Sequence, residues 1–146
     1  MSQENVEVVR AMIESAGFGY DLDEQLAKFF DPDVEWHDTP TYPNAGVHFG
    51  HAALRRHFLD YQEAWADYGI DIEDIRAVGD RVVARMRYRG VGRQSGVPAT
   101  GGLEFPATGA VFDLRAGRIV RVLQFDSHAE ALEAAGLSEQ DTHADS

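Results

Sequence analysis

The strongest constraint on the fold is a change of hydrophobic period near residue 70. Before this point apolar residues recur at spacings of three and four, and after it they alternate with polar ones. The first pattern predicts amphipathic helices and the second predicts strands. Helices followed by a run of antiparallel strands indicate a segregated α+β fold. We therefore expect a strongly curved antiparallel sheet that is covered by three helices on one face, with a short helix near the C-terminus.

The three helices have recognisable boundaries. An apolar stripe over residues 2–16 forms the first, and Asp21 is placed to cap the second, which must end before Pro32. The third is predicted over residues 51–68, with Gly69 as its stop. Its apolar face is predicted to consist of Leu54, Phe58, Tyr61, Trp65 and Tyr68.

Strand patterns follow the helices. Gly79-Asp80 and Ala116-Gly117 are typical of hairpin turns, and Ser127 is placed to cap a final helix that ends near Gly136. Residues 39–49 and 92–102 are rich in proline or glycine and are expected to be irregular. The strand segments are predicted at residues 34–38, 70–72, 75–78, 82–92, 103–115 and 118–125. The chain is expected to form a single domain over residues 1–137, with a disordered acidic tail over residues 138–146.

Asp38 is the most informative single residue. A turn at Asp31-Pro32-Asp33 is predicted to lead into a short strand, on which Val34, Trp36 and Asp38 share one face. Because that face is apolar, the carboxylate is expected to point inward, where it is costly unless it is paired or used. Asp38 is therefore either a general base that lines a pocket or a carboxylate that caps backbone N–H groups of the adjacent turn.

Composition excludes several classes of function. The formal net charge of −12 argues against nucleic acid and anionic membrane as partners, because both would require a basic surface. The chain has no cysteine, which excludes disulfides and thiolate chemistry. Neither a signal peptide nor a membrane-spanning segment is evident, so a cytoplasmic location is expected.

Histidines near Asp38 raise the question of a metal site. His37 alternates with Asp38 and is expected to point the other way, and His51 and His57 are six residues apart on different faces of a helix. His48 lies in the segment that is predicted to be irregular. On this spacing no metal site is predicted, and no cofactor is expected.

Three passages resemble the SnoaL-like and ketosteroid isomerase-related proteins of the nuclear transport factor 2-like superfamily. They are FFDPDVEWHD at residues 29–38, GVPATG at residues 96–101 and AGRIV at residues 116–120, and their order spans nearly the whole chain. The resemblance implies a cone-shaped, cystatin-like α+β barrel with an apolar pocket for a small organic molecule. It also implies a homodimer formed through the sheet.

The residues that the known activities need are only partly present. Asp38 matches the proton-shuttling carboxylate of ketosteroid isomerases, but Ala110 stands where that family keeps an acid in the oxyanion hole. Ala110 and Gly90 also stand near the positions of the working aspartate and histidine of SnoaL-like cyclases. Arg85 matches the arginine of limonene-epoxide hydrolases, but the flanking acids are absent.

Two hypotheses remain from the sequence. In the first, the protein is an enzyme that transfers protons on an apolar or polycyclic compound, with Asp38 as the base. In the second, it is a non-catalytic ligand-binding or dimerisation module. Under the first hypothesis the substrate-binding residues are predicted to be Trp36, Phe58, Tyr61, Tyr88, Phe112 and Gln124, with Tyr61 or Tyr88 as proton donor.

Overall fold

The protein folds into one mixed sheet with helices on both of its faces. The computed structural model describes residues 2–15, 21–39, 46–92 and 108–136, without the side chains of residues 2, 61–69 and 88–92. The elements are α1 (Ser2–Glu14), α2 (Leu22–Phe29), β1 (Phe30–His37), β2 (Val47–Phe49), α3 (Gly50–Ala64), β3 (Trp65–Val78), β4 (Arg81–Gly92), β5 (Thr108–Arg115), β6 (Arg118–Phe125) and α4 (His128–Ala134). The predicted tail and residues 93–107 lie outside the described ranges.

The six strands form a curved, unclosed sheet in the order β2-β1-β6-β5-β4-β3. All neighbours are antiparallel except β1 and β6, which run parallel. The predicted α+β class is therefore confirmed. None of the helices within the described residues is both long and apolar enough to cross a membrane.

The alternation along β4 divides the interior into two layers. Val82, Ala84 and Met86 join a core with residues of α1, α2 and α3, whereas Val83 packs with Val111 against α4 on the opposite face. Side chains alternate across a strand, so a single strand supplies both layers. The three N-terminal helices thus cover one face, as predicted, and the short C-terminal helix covers part of the other.

Local signals in the sequence fix several element boundaries. The Asp21 carboxylate accepts hydrogen bonds from the backbone N–H groups of Asp23 and Glu24 at 2.8 and 3.2 Å, and Ser127 Oγ accepts one from Glu130 N–H at 3.2 Å. Both predicted N-caps are confirmed. The hairpin turns predicted at residues 79–80 and 116–117 are also present.

The predicted end of the third helix is wrong. Helix α3 ends at Ala64, and Trp65 begins β3 by pairing with Gly92 of β4, so Trp65 and Tyr68 belong to a strand. Tryptophan and tyrosine favour strands, and the long β3–β4 hairpin supplies backbone partners that a helical continuation would leave unpaired. Gly69 lies inside β3, next to a register shift between Ala66 and Gly69.

Two predictions around Asp38 also need correction. The segment Asp31-Pro32-Asp33 is not a turn before the strand, because β1 already begins at Phe30. The segment lies inside β1, where the pairing with β6 shifts register between Phe30 and Glu35. Residues 47–49, which were expected to be irregular, form the edge strand β2. This second difference has functional consequences because β2 carries His48.

Candidate functional site

Asp38 immediately follows β1 and is held in place by the β1–β2 hairpin. Its backbone N–H donates to the Gly46 carbonyl at 3.0 Å, and the Gly46 N–H donates to Asp38 Oδ2 at 3.3 Å. The first bond extends the β1–β2 pairing by one residue beyond His37 and Val47. The Asp38 side chain is only 4% exposed, so the prediction of an inward carboxylate is confirmed.

Two imidazoles converge on this carboxylate. His48 Nε2 lies 2.8 Å from Asp38 Oδ2, and His57 Nε2 lies 3.1 Å from Asp38 Oδ1. The His48 contact is a hydrogen bond, whereas the His57 contact has an ion-pair distance but poor hydrogen-bond alignment. Since an ionised carboxylate can only accept, the proton in the His48 contact resides on Nε2.

The strand register explains the position of His48. His48 pairs directly with Trp36, so both side chains project from the same face of the sheet. Asp38 is two residues beyond Trp36 and shares that face. His48 is therefore a diagonal cross-strand neighbour of Asp38, and its side chain retains 26% exposure.

Helix periodicity explains the position of His57. Leu54 is fully buried, and His57 and Phe58 follow it by three and four residues, which places them on the same face of α3. The His57 side chain is 11% exposed, and its ring stacks on that of His48 with centroids 4.2 Å apart. The three-residue spacing from Leu54 to His57 therefore indicates that His57 faces inward. The six-residue spacing between His51 and His57 does not carry this signal.

Burial and neighbouring charges act on His57 in opposite directions. Burial lowers the pKa of His57 below its ordinary value of 6.5, the nearby Asp38 carboxylate raises it, and His48 lowers it again. The net effect on the pKa is a decrease. The imidazole of His57 is therefore neutral at neutral pH.

The other two histidines of this region have different roles. His37 points away from the site and lies 3.4 Å from Glu35, as its position in the strand predicted. His51 Nε2 lies 3.0 Å from the carbonyl oxygen of Phe30, and so fastens the start of α3 to the start of β1. Neither joins the Asp38 cluster.

Aromatic rings form one wall beside the cluster. Trp36 contacts Phe58 edge-on at 5.2 Å between ring centroids and lies 5.9 Å from the His57 ring. Phe30 lies 6.0 Å from Phe58 on the inner side. Trp36 is 7% exposed, and its indole N–H has no hydrogen-bond partner among the described residues.

The remaining predicted site residues divide into three groups. Gln124 is buried on β6. Val122 pairs with Trp36, and Gln124 and Asp38 each follow their strand's member of that pair by two residues. Gln124 therefore lies on the same face and at the same end of the sheet as Asp38. Phe112 is 1% exposed and packs within the main core. The side chains of Tyr61 and Tyr88 lie outside the described part of the chain.

Comparison with known proteins places this site in a family context. Residues 9–122 match the model of the SnoaL-like domain. A search of curated proteins finds no significant match.

Solved structures share the fold at low sequence identity. An NTF2-like protein from Burkholderia xenovorans is 24% identical, with a TM-score of 0.68 over 92% of this chain and 97% of that one. A protein with a ketosteroid isomerase-like fold from Catenulispora acidiphila, solved in complex with trimethylamine, is 17% identical, with a TM-score of 0.64 over 90% and 93%. A cystatin fold protein from Novosphingobium aromaticivorans is 21% identical, with a TM-score of 0.63 over 85% and 97%. The family match covers most of the chain, and the chain therefore belongs to the SnoaL-like domain family.

Proposed function

We propose that this protein is an enzyme that moves a proton on a small, largely apolar organic molecule. The observation that carries the proposal is the buried Asp38 carboxylate with two imidazole nitrogens within 3.1 Å. Acid–base catalysis needs a titratable group whose orientation is fixed by a neighbour. Asp38, His48 and His57 meet that requirement.

In the proposed site His48 exchanges the proton with the substrate, and Asp38 positions the imidazole of His48. Both carboxylate oxygens of Asp38 are close to an imidazole nitrogen, which makes a direct attack of Asp38 on a substrate C–H bond the less favourable arrangement. With the proton of His48 on Nε2, the lone pair is on Nδ1. His48 is also the most exposed of the three side chains, so a substrate reaches it first.

The reaction would proceed by proton abstraction next to a carbonyl group. Nδ1 of His48 takes the proton from carbon, the electron pair moves to the carbonyl oxygen, and the Asp38 carboxylate stabilises the resulting imidazolium. Trp36 offers a buried N–H that has no acceptor among the residues that the structure describes, which suits a carbonyl or enolate oxygen. Return of the proton to a different carbon gives an isomerase, and loss of a leaving group gives a lyase.

The substrate class follows from the surroundings of the cluster. Trp36 and Phe58 form an apolar wall, and the net charge of −12 disfavours anionic compounds. A neutral cyclic ketone meets both conditions. The homodimer and the roles of Phe112, Gln124, Tyr61 and Tyr88 in substrate binding remain predictions.

The test is deuterium exchange at the α-carbon of cyclic ketones. The metal-free protein is incubated in D2O with β-tetralone, cyclohexanone and a steroid enone, and loss of the α-proton signal is followed by NMR. We expect catalysed exchange with at least one ketone, and a loss of roughly a hundredfold or more in His48→Gln. His37→Gln is the matched control, because His37 lies on the other face of β1 and should retain the full rate.

Two results would overturn the proposal. Equal exchange by His48→Gln and the parent protein would remove His48 from the chemistry. Binding of the ketones without exchange would favour the alternative of a non-catalytic binding module.

A further inference from the structure

The Asp38 cluster also contains the donor set of a metal site. Asp38, His48 and His57 each offer one ligand atom, and the three atoms lie within 4.8 Å of one another. Two imidazole nitrogens and one carboxylate oxygen are the protein ligands of many mononuclear sites for divalent transition metals. The donors come from three separate segments, the end of β1, the strand β2 and the helix α3. Strand pairing joins β2 to β1, and α3 packs on the core through Leu54.

One oxygen of the buried Asp38 carboxylate has a close imidazole but accepts no well-aligned hydrogen bond from the described residues. Oδ2 accepts hydrogen bonds from His48 and the Gly46 N–H, but Oδ1 accepts no well-aligned hydrogen bond from the described residues. The side chain is 4% exposed, so bulk water is a poor substitute. A buried charge is costly unless it is paired or coordinates a cation. Oδ1 therefore provides evidence for a ligand that is independent of the count of donors.

The spacing of the donors suits cis positions around a metal ion. The Nε2 atoms of His48 and His57 lie 2.8 and 3.1 Å from the carboxylate oxygens. For an ion bound through Oδ1 with metal–ligand bonds of about 2.1 Å, the 3.1 Å separation of His57 Nε2 from Oδ1 corresponds to an N–metal–O angle of roughly 95°. An octahedral ion needs about 90° between such ligands, whereas a tetrahedral one needs about 109°. The two stacked imidazole rings are 27° from parallel and allow neighbouring ligands.

The electrostatic surroundings favour a cation at this position. The net charge of −12 raises the local concentration of cations around the protein. The Gly46 N–H holds the Asp38 carboxylate in place, as hydrogen bonds from outside the ligand set do in metal sites.

We propose that Asp38, His48 and His57 bind one divalent first-row transition-metal ion and leave the remaining coordination positions to water or a small molecule. Binding replaces the Nε2 proton of His48 by the metal. The imidazole remains neutral because its proton moves to Nδ1. Metal binding thus changes the tautomer of His48 without changing its charge.

This change of tautomer would regulate the proposed reaction. In the metal-free protein Nδ1 of His48 can accept a proton, and in the metal-bound protein it cannot. The ion would therefore inhibit proton transfer at the site that it occupies. This regulatory part rests on the proposed function, whereas metal binding itself does not.

The test of binding uses the full chain after treatment with a chelator that is then removed. Co²⁺ is titrated and followed by its visible ligand-field absorption, and Zn²⁺ is titrated by calorimetry. We expect one ion per chain and a loss of affinity of about a hundredfold or more in His48→Gln. His48 is the partly exposed ligand, so this variant is the one expected to fold, and far-UV circular dichroism checks that it does. His37→Gln and His51→Gln should bind as the parent protein does.

The outcomes separate the two proposals. No binding to the parent protein, or an equal loss of affinity in the His37→Gln control, would overturn the metal site and leave the proton-transfer proposal standing. Binding that depends on His48, without ketone exchange in either form, would support the metal site and overturn the proposed function. Exchange that is fastest with the ion bound would contradict the inhibitory role.

Discussion

The substitution Asp38→Asn tests the pairing of the cluster through the stability of the fold. An amide has nearly the shape of the carboxylate but lacks its charge. Its oxygen can accept from the His48 N–H, and its NH₂ group then replaces the charged oxygen beside His57. The backbone bond between Asp38 N–H and the Gly46 carbonyl is unaffected, so the hairpin itself should remain. We expect a loss of stability that comes from the two imidazole contacts alone.

The magnitude follows from the geometry of these contacts. A hydrogen bond to a charged group contributes roughly 1.5–3 kcal/mol, against about 0.5–1.5 kcal/mol for a neutral one. His48 is 26% exposed, so water recovers part of its hydrogen bond. The His57 contact is not a well-aligned hydrogen bond, but His57 is 11% exposed, so water replaces its electrostatic contact with the carboxylate less completely. We therefore expect Asp38→Asn to lower the free energy of unfolding by about 2–3 kcal/mol.

The assay is urea denaturation at neutral pH in the presence of a chelator. With a urea slope of about 2 kcal/mol per molar, the midpoint should fall by roughly 1–1.5 M. Asp33→Asn is the matched control, because Asp33 is exposed on the same strand and should change stability by less than about 0.5 kcal/mol. An Asp38→Asn protein as stable as the control would show that the imidazoles do not depend on this carboxylate.

Three further predictions concern the surrounding fold. Leu54→Ala should lower the free energy of unfolding, measured by urea denaturation, by about 2–5 kcal/mol because the Leu54 side chain of α3 is fully buried. Phe49→Ser is the control, because this side chain is 64% exposed and its loss should lower the free energy of unfolding by less than about 0.5 kcal/mol. Gly109→Ala should cost roughly 1–3 kcal/mol, because the new Cβ would lie 2.7 Å from the Cβ of Ala131, and a thermal midpoint equal to that of the parent protein would contradict this packing. Burial lowers the pKa of His57 in the folded protein below its ordinary value of 6.5. The unfolded chain therefore binds more protons than the folded one just below pH 6.5. The contribution of neutral His57 to the free energy of unfolding is complete above about pH 6.5 and is lost as the pH falls through the lowered pKa. Urea denaturation at a series of pH values should show this loss in the parent protein and a weaker one in His57→Gln.

The sequence predicted the fold most reliably where a local signal acts alone. The caps at Asp21 and Ser127 and the turn at residues 79–80 depend on a few neighbouring residues, and all three are confirmed. The end of α3 was mispredicted because its apolar period continues through Trp65 and Tyr68. The β3–β4 pairing, which is a contact between distant segments, overrides that period.

The candidate site was predicted only in part, for the same reason. Alternation along β1 sufficed to place Asp38 inward beside Trp36. His48 depends on the pairing of β2 with β1, and a strand of three residues gives almost no periodic signal. His57 was readable from its spacing to Leu54, but its contact with Asp38 requires the packing of α3 against β1.

The Asp38 carboxylate holds the His48 and His57 rings beside each other in the interior, and NMR of the histidine rings tests this arrangement. Long-range ¹⁵N–¹H correlation spectra of the metal-free protein report the tautomer of each imidazole. We predict that His48 is protonated at Nε2, and that Asp38→Asn shifts the ring signals of His48 and His57 while those of His37 and His51 remain unchanged. Ring signals of His48 and His57 that match exposed histidines and ignore Asp38→Asn would contradict the account.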